Sequence, residues 1–164
     1  MSEGANGWRI VEDDATGPEI TALIAYHVTS AHATTPPQHA FALGIEALRA
    51  PEITLWTLWE GDALLGCAAL KDLGDGEGEL KSMRTAPDHL RRGVAARLLE
   101  HAIGAARARG WHRLNLETGK GPSFAPAWEL YRRAGFSDCG PYADYAESDH
   151  NRYMTLALDT EKEP

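Results

Sequence analysis

Hydrophobic residues recur along this chain at two spacings, and each spacing predicts a different kind of element. Apolar positions three or four residues apart predict amphipathic helices, which are bounded by capping residues or proline before them and by glycine or proline after them. Four helices are predicted. The first starts at Thr16-Gly17-Pro18-Glu19 and ends before Pro36-Pro37, and the second covers 42–49. The third covers 92–109 and ends at Gly110, and the fourth runs from Ser123 to Gly135.

Runs rich in β-branched and aromatic residues predict strands. The order strand, helix, strand over 79–85, 92–109 and 113–118 is typical of a right-handed crossover, which makes those two strands parallel. The predicted fold class is therefore α/β, with one mixed sheet flanked by helices. Seven strands are predicted, over 9–11, 53–59, 63–70, 79–85, 113–118, 136–142 and 152–158.

Length and charge narrow the function. The 164 residues include 16 basic and 24 acidic ones, for a net charge of −8. This length fits one domain, which we place at 8–159 with flexible tails at 1–7 and 160–164. No apolar run reaches the roughly 18 to 20 residues of a membrane helix and the start lacks an export signal, so we expect a cytoplasmic protein without a membrane partner. The negative charge argues against nucleic acid as a partner.

Neither the cysteines nor the histidines form a pattern typical of a metal or redox site. Cys67 and Cys139 are too few for a disulfide scaffold and lack C-x-x-C spacing, so we expect two reduced thiols. His27, His32 and His39 lack an H-E-x-x-H arrangement and are interrupted by prolines. No metal is predicted.

The segment between strand 79–85 and the next helix is a candidate phosphate site. The first amides of a helix lack internal partners and together carry about half a positive charge, so a diphosphate can accept several of their hydrogen bonds. One helix end contributes about 0.3 to 2 kcal/mol to the free energy of binding, whereas micromolar affinity requires about 8 kcal/mol. Most of the affinity must therefore come from other parts of the ligand, which implies a large cofactor. The same sequence also fits a simple glycine turn into an alanine-rich helix. The residues are Arg91, Arg92, Gly93, Val94, Ala95 and Ala96.

Walker and Rossmann motifs are both absent, which disfavours nucleotide hydrolysis and hydride transfer. Three other segments occur in order: 79–87 (Glu-Leu-Lys-Ser-Met-Arg-Thr-Ala-Pro), 91–96 (Arg-Arg-Gly-Val-Ala-Ala) and 127–136 (Ala-Trp-Glu-Leu-Tyr-Arg-Arg-Ala-Gly-Phe). Together they resemble the GNAT superfamily of N-acyltransferases, and the resemblance extends over almost the whole chain. It implies a mixed sheet of about six to seven strands with about four helices. The sheet would open between the fourth and fifth strands, with acetyl-CoA in the gap.

The resemblance also implies which residues hold the cofactor. Two positions depart from the family: Leu90 stands three residues before the glycine in place of the usual Gln or Arg, and Phe124 replaces a frequent Asn. The first change removes a phosphate contact for which Arg91 or Arg92 can substitute, and the second removes a polar contact to the cofactor arm. The implied cofactor residues are Met83, Arg84 and Thr85 for the pantetheine, residues 91–96 for the pyrophosphate, and Phe124 and Ala127 beside the arm.

Catalytic roles follow from the same resemblance. Tyr131 matches the tyrosine that protonates the departing thiolate, and its phenol stays protonated at neutral pH. Glu79 matches a general base used in parts of the family, and Glu117 on the next strand is a competing base beside the acceptor. Structural roles stay open for all three, as a core tyrosine, a solvated carboxylate and a paired carboxylate. A backbone N–H near Met83 or Arg84 is expected to meet the oxyanion.

Two variable segments, 27–39 and 142–147, are expected to cover the acceptor, although plain surface loops would have similar compositions. Tyr142, Asp144 and Tyr145 can hold a cationic amine, while His32 can serve a carboxylate.

The predicted activity is acetyl transfer from acetyl-CoA to a primary amine of a small molecule, directly within a ternary complex and not through Cys139. A non-catalytic acyl-CoA sensor and a protein or peptide N-acetyltransferase are the alternatives. The sequence does not reveal the oligomeric state; the resemblance implies only that a homodimer is possible, in which strand 53–59 could take part.

Overall fold

A computed structural model describes residues 2–3, 7–39 and 41–158, which build one mixed β-sheet. Its strands are β1 (Ser2–Glu3), β2 (Trp8–Asp13), β3 (Ile53–Glu60), β4 (Ala63–Gly74), β5 (Glu77–Thr85), β6 (Arg113–Gly119), β7 (Ser137–Cys139) and β8 (Asn151–Ala157). They lie in the order β1-β2-β3-β4-β5-β6-β8-β7. All neighbours are antiparallel except β5 and β6, which form the predicted parallel pair.

Three α-helices cover the two faces of the sheet: α1 (Pro18–Thr34), α2 (Val94–Ala108) and α3 (Ala125–Arg133). The buried residues of α1 share a core with Leu55, Cys67 and Ala69. Residues of α2 and α3 pack together in a second, larger core. Because side chains alternate along a strand, neighbouring residues of β5 point either to α1 or to α2 and α3.

Strands β5 and β6 begin as a pair and then separate. Glu77 to Leu80 pair with Arg113 to Leu116, whereas β5 continues to Thr85 and β6 continues to Gly119. The last main-chain groups of β5 on that side therefore have no strand partner in the described chain and can pair with an extended ligand. The predicted opening between these two strands is confirmed.

A β-bulge bends β5 at the start of this gap. The register with β4 passes from Ala69 opposite Lys81 to Cys67 opposite Arg84, so Ser82 and its successor face a single residue. Ser82 has a φ of 55°, a left-handed conformation that is uncommon for a residue with a side chain. Bulges bend and twist a strand locally, which accounts for the departure of β5 from β6.

Short elements differ from their predictions. The helix expected at 42–49 is only a 3-10 turn at Ala47–Arg49, since Gly44 and Pro51 leave too few residues for a stable helix. The strand expected at 136–142 is confined to Ser137–Cys139, because Pro141 has no N–H for the ladder. The described residues thus contain three α-helices and eight strands.

The chain ends and β3 also bear on the predictions. The segment 1–7 was expected to be a tail, but Ser2–Glu3 within it pairs with β2. Residues 1 and 4–6 and the expected tail at 160–164 lie outside the described residues. Strand β3 pairs on both sides and has no free edge for a second chain, so the homodimer stays a prediction. No described helix is both long and apolar enough to span a bilayer.

Candidate active site

Glu79 lies where β5 and β6 separate, and its carboxylate is densely hydrogen-bonded. The residue is 2% exposed, and Oε2 accepts hydrogen bonds from the hydroxyls of Tyr142 at 2.8 Å and Tyr145 at 2.6 Å. Lys81 Nζ forms an ion pair with the same oxygen at 3.3 Å and donates to the Tyr145 hydroxyl at 3.0 Å. These donors offset the cost of burying the charge.

Three tyrosines pack around this carboxylate. The rings of Tyr142, Tyr145 and Tyr153 lie with centroids 5.1 to 5.9 Å apart. Burial and the Glu79 charge raise the pKa values of Tyr142 and Tyr145 above the ordinary range, so both hydroxyls stay protonated and donate. The Tyr153 hydroxyl donates to the carbonyl of Ala146 at 2.8 Å. The segment after β7 is thereby fixed over the gap.

Glu117, on β6, is the second carboxylate of the gap, and it accepts fewer hydrogen bonds than Glu79. It accepts one hydrogen bond, at 2.7 Å, from Nδ2 of Asn151, which also donates to the carbonyl of His39 at 2.8 Å. Burial raises the pKa of Glu117, and the nearby Glu79 charge adds to that increase. The raised pKa makes Glu117 a candidate proton acceptor.

Tyr131 is buried in α3 and packs edge-on against Phe136, with ring centroids 5.9 Å apart. Its hydroxyl makes no hydrogen bond to another described residue. Burial raises its pKa to about 12, while the Arg84 charge lowers the pKa and the Glu117 charge raises it. The phenol is thus protonated at neutral pH and its O–H is available to a ligand.

Arg84 connects β5 to α1. Its Nε donates to Nδ1 of His27 at 2.9 Å, and its guanidinium lies 5.4 Å from the ring centroid of Tyr26. Burial, together with the charges of Arg84 and Lys81, lowers the pKa of His27 to about 4. His27 is therefore a neutral hydrogen-bond acceptor at physiological pH.

The start of α2 presents unpaired amides. The first helical hydrogen bond runs from the Arg97 amide to the Gly93 carbonyl at 3.0 Å. The amides of residues 91–96 donate to no acceptor in the described chain. Arg91 has a φ of 64° and Gly93 a φ of 86°, a left-handed conformation that suits glycine. Consecutive free amides of this kind can bind an anion, so 91–96 is a candidate anion site.

A groove of about 500 Å³ lies along these amides. Arg92 donates to both carboxylate oxygens of Glu60, at 3.0 and 3.1 Å, and its guanidinium lies 5.5 Å from the Trp8 ring, so its charge is partly engaged. Leu90 is 59% exposed and provides no polar contact. The groove is lined by Trp8, Arg92, Gly93, Ala96, Arg97 and Glu100.

The far end of the gap is formed by β6 and the start of α3. The Phe124 ring lies on Gly119 so closely that a Cβ atom there would come 2.2 Å from it. Trp128 Nε1 donates to the Gly119 carbonyl at 2.9 Å, and Ala127 packs against the main core. Phe124 and Ala127 therefore lie at the edge of the gap, on an apolar wall.

Some predicted residues lie away from this group. His32 and Asp144 are exposed, and His32 is in the last turn of α1. Cys67 and Cys139 are free thiols, and burial raises the pKa of Cys67 to about 12, which makes it unreactive. Among the described residues no group of three His, Cys, Asp or Glu side chains can hold a metal.

Four further residues lie at the site although their side chains were not predicted to act there: His27, Lys81, Asn151 and Tyr153. Lys81 carried a signal, because it lies two residues after Glu79 and so on the same face of the strand. His27 lay on the apolar stripe of the first helix, which indicated that it points inward. Nothing in the sequence indicated Asn151 or Tyr153.

The sheet with its gap, the anion site and the tyrosine together define the class of protein as an acyltransferase. The sequence profile described as the acetyltransferase (GNAT) family matches residues 20–136. The chain belongs to this family. The uncharacterised N-acetyltransferase YsnE of Bacillus subtilis is 50% identical over 146 residues, covering 89% of this chain and 97% of the relative.

Solved structures agree with this assignment. A proposed acyl-CoA N-acyltransferase from Klebsiella pneumoniae has a TM-score of 0.75 and 25% identity, covering 93% of this chain and 99% of the other. A GNAT acetyltransferase from Elizabethkingia anophelis with bound acetyl-CoA has a TM-score of 0.67 at 17% identity, with 93% and 99% coverage. The second likeness concerns the fold.

Proposed function

We propose that this protein transfers the acetyl group of acetyl-CoA directly to the primary amine of a small molecule, within a ternary complex. One observation supports the proposal: β5 and β6 separate just beyond Glu79, on the strands that carry Glu79 and Glu117, and β5 then leads toward the free amides at the start of α2. A thioester carrier with linked phosphates fits both parts at once.

The cofactor is held mainly by backbone groups. The unpaired side of Met83, Arg84 and Thr85 offers amides and carbonyls to the pantetheine, which extends the sheet as a strand would. The pyrophosphate accepts hydrogen bonds from the amides of 91–96, where the helix dipole favours negative charge. Arg92 and Arg97 add positive charge along the groove.

Acyl transfer forms one carbon–nitrogen bond and breaks one carbon–sulfur bond. The amine nitrogen attacks the thioester carbonyl, Glu117 accepts the proton that the nitrogen loses, and the thiolate leaves. Free backbone amides at the bulge near Met83 or Arg84 stabilise the oxyanion. The net proton passes from the amine to the sulfur.

Tyr131 stabilises the departing sulfur as a hydrogen-bond donor. A phenol with a pKa of about 12 exceeds a thiol near 8.5 by about 3.5 units, so full transfer of its proton costs about 5 kcal/mol. A hydrogen bond from the phenol to the developing thiolate avoids that cost. The proton that converts the thiolate to a thiol comes, in the net reaction, from the amine. The phenol therefore assists C–S cleavage while staying largely protonated.

Glu79 fits a positioning role better than that of the general base. Its carboxylate already accepts from Lys81, Tyr142 and Tyr145, and removing it would leave a buried cation unpaired. By holding the two tyrosines it narrows the acceptor side of the gap. This narrowing supports a small amine as acceptor over a folded protein or an extended peptide.

The test is release of free thiol from acetyl-CoA across a panel of amines that includes amino acids, polyamines, aminoglycosides and short peptides, with Tyr131→Phe beside the wild type. We expect turnover of at least one small amine and a loss of kcat of about 100-fold or more in the variant. Tight cofactor binding without turnover would favour the sensor, and turnover of peptides alone would favour a peptide acetyltransferase.

A further inference from the structure

Arg84 is a half-buried cation that no described carboxylate neutralises. The ion pairs of the described chain involve other basic residues, and Arg84 donates only its Nε hydrogen, to His27. Its two terminal amino groups have no hydrogen-bond acceptor among the described residues. A half-buried guanidinium with two free amino groups can bind an anion, so Arg84 is a candidate ligand-binding group.

The neighbours of Arg84 orient it without neutralising it. His27 accepts the Nε hydrogen bond and Tyr26 places its ring beside the guanidinium, and both side chains come from α1. His27 has a pKa lowered to about 4 and stays neutral. Lys81, the other nearby cation, is already paired with Glu79. Among these side chains of β5 and α1, Arg84 therefore keeps an unpaired positive charge.

The position of Arg84 separates it from the phosphates of the cofactor. Met83 packs toward the core of α2 and α3, whereas the Arg84 side chain reaches the α1 face of the sheet. The anion site at 91–96 begins α2, on the opposite face. An anion on Arg84 therefore belongs to the second substrate.

We propose that Arg84 binds a carboxylate of the acceptor, so that the substrate is an amino acid whose amino group lies at Glu117. This inference rests on the proposed function and names its substrate class. A planar guanidinium with two free amino groups matches a carboxylate through paired hydrogen bonds. The two ends of a zwitterion then meet opposite charges on β5 and β6.

Asn151 supports the amino end of this assignment. Its Nδ2 donates both to Glu117 and to the carbonyl of His39, which fixes the orientation of the amide. Its Oδ1 is buried and accepts no hydrogen bond in the described chain. An ammonium group beside Glu117 would supply the missing donor.

Tyr131 lies within the influence of both charges. Arg84 lowers its pKa and Glu117 raises it, so the phenol that assists the leaving sulfur is near both groups. An amino acid held between Arg84 and Glu117 therefore has its nitrogen close to the thioester, as direct attack requires.

The test compares wild type and Arg84→Gln on matched acceptors: an amino acid, its amide and the amine that lacks the carboxyl group, for several side chains. Initial rates of thiol release and the thermal shift of the CoA-bound protein are measured together. Arg107→Gln, an exposed arginine of α2, is the control. For wild type we expect kcat/KM about 10- to 100-fold higher on the acids than on the amides.

In Arg84→Gln the preference for acids over amides should fall to within about 3-fold, while acetyl-CoA should still produce the thermal shift. Arg84→Lys should recover part of the preference for acids. Equal rates on acids and amides in the wild type, or a preference that survives Arg84→Gln, would overturn this inference alone. Absence of both an acetyl-CoA shift and turnover would overturn the proposed function. Arg84-dependent binding of the acids without turnover would support the site and refute the transfer.

Discussion

Glu79 and Glu117 show how two carboxylates in one gap acquire different properties. Glu79 is surrounded by one ammonium and two hydroxyl donors, whereas Glu117 has a single amide donor. Donors stabilise the charged form, and burial without them destabilises it. This difference in environment supports the proposed roles, in which Glu79 positions its neighbours and Glu117 is the base.

We expect Glu117→Gln to lower kcat/KM by about 100-fold or more, because the amide cannot accept the amine proton. In the wild type the rate should fall as the pH drops through the raised pKa of Glu117, and that acid limb should disappear in the variant. A pH profile on one amine measures both effects. Glu46→Gln, on an exposed carboxylate, is the control, and an unchanged acid limb in Glu117→Gln would exclude the assignment.

His27 makes stability depend on pH. Its pKa is about 4 in the folded chain and about 6.5 when unfolded, so the unfolded state binds more protons between these values and stability falls as the pH drops below 6.5. From pH 7.5 to 5 the loss through this residue is about 2 kcal/mol. Urea unfolding of wild type and His27→Asn at both pH values should show a smaller loss in the variant. Equal losses would contradict the buried neutral histidine.

At the level of elements, two glycines of α2 have opposite roles, Gly93 as its N-cap and Gly104 within it. Gly93 has a φ of 86°, whereas Gly104 lies in the regular helix, and a Cβ atom would meet open space at both positions. A side chain at Gly93 is therefore opposed by its backbone conformation alone. At Gly104 a side chain only reduces the entropy of the unfolded chain.

We expect Gly93→Ala to destabilise the fold by about 1 to 2 kcal/mol and to weaken acetyl-CoA binding, since the free amides would shift. Gly104→Ala should stabilise it by about 0.5 to 1 kcal/mol and leave binding unchanged. Urea unfolding and cofactor titration of both variants measure these effects. Similar changes in both variants would show that the left-handed turn does not shape the anion site.

The main elements were predictable from the sequence because their signals are local, whereas the gap was implied by the resemblance to the family. The period of α2, its glycine boundaries and the order of β5, α2 and β6 all lie within one continuous segment. The contacts that shape the acceptor side are long-range: Arg84 meets His27 across 57 positions, and Tyr142 and Tyr145 meet Glu79 across 63 and 66. Such contacts depend on how α1 and the segment after β7 pack on the sheet. The residues next to each position in the sequence do not indicate this packing.

The whole molecule should respond to acetyl-CoA at both parts of the proposed site. At about 100 times the dissociation constant, the cofactor should stabilise the fold by about 2.7 kcal/mol. Hydrogen exchange should slow at the amides of 91–96 and at those of 81–85 that do not face β4. Amides of β8, already paired with β6, serve as the internal control. A thermal shift without protection at 91–96 would place the cofactor elsewhere.

The proposed site divides two recognition tasks between the faces of the sheet. In that proposal, side chains that face α1 select the amine, while backbone groups of β5 and the start of α2 hold the acyl carrier. Laboratory evolution toward a new amine should therefore accumulate substitutions in α1 and in the 142–147 segment, and leave carrier affinity largely intact. The division also gives one scaffold a simple route to diversify its acceptors while keeping the same donor.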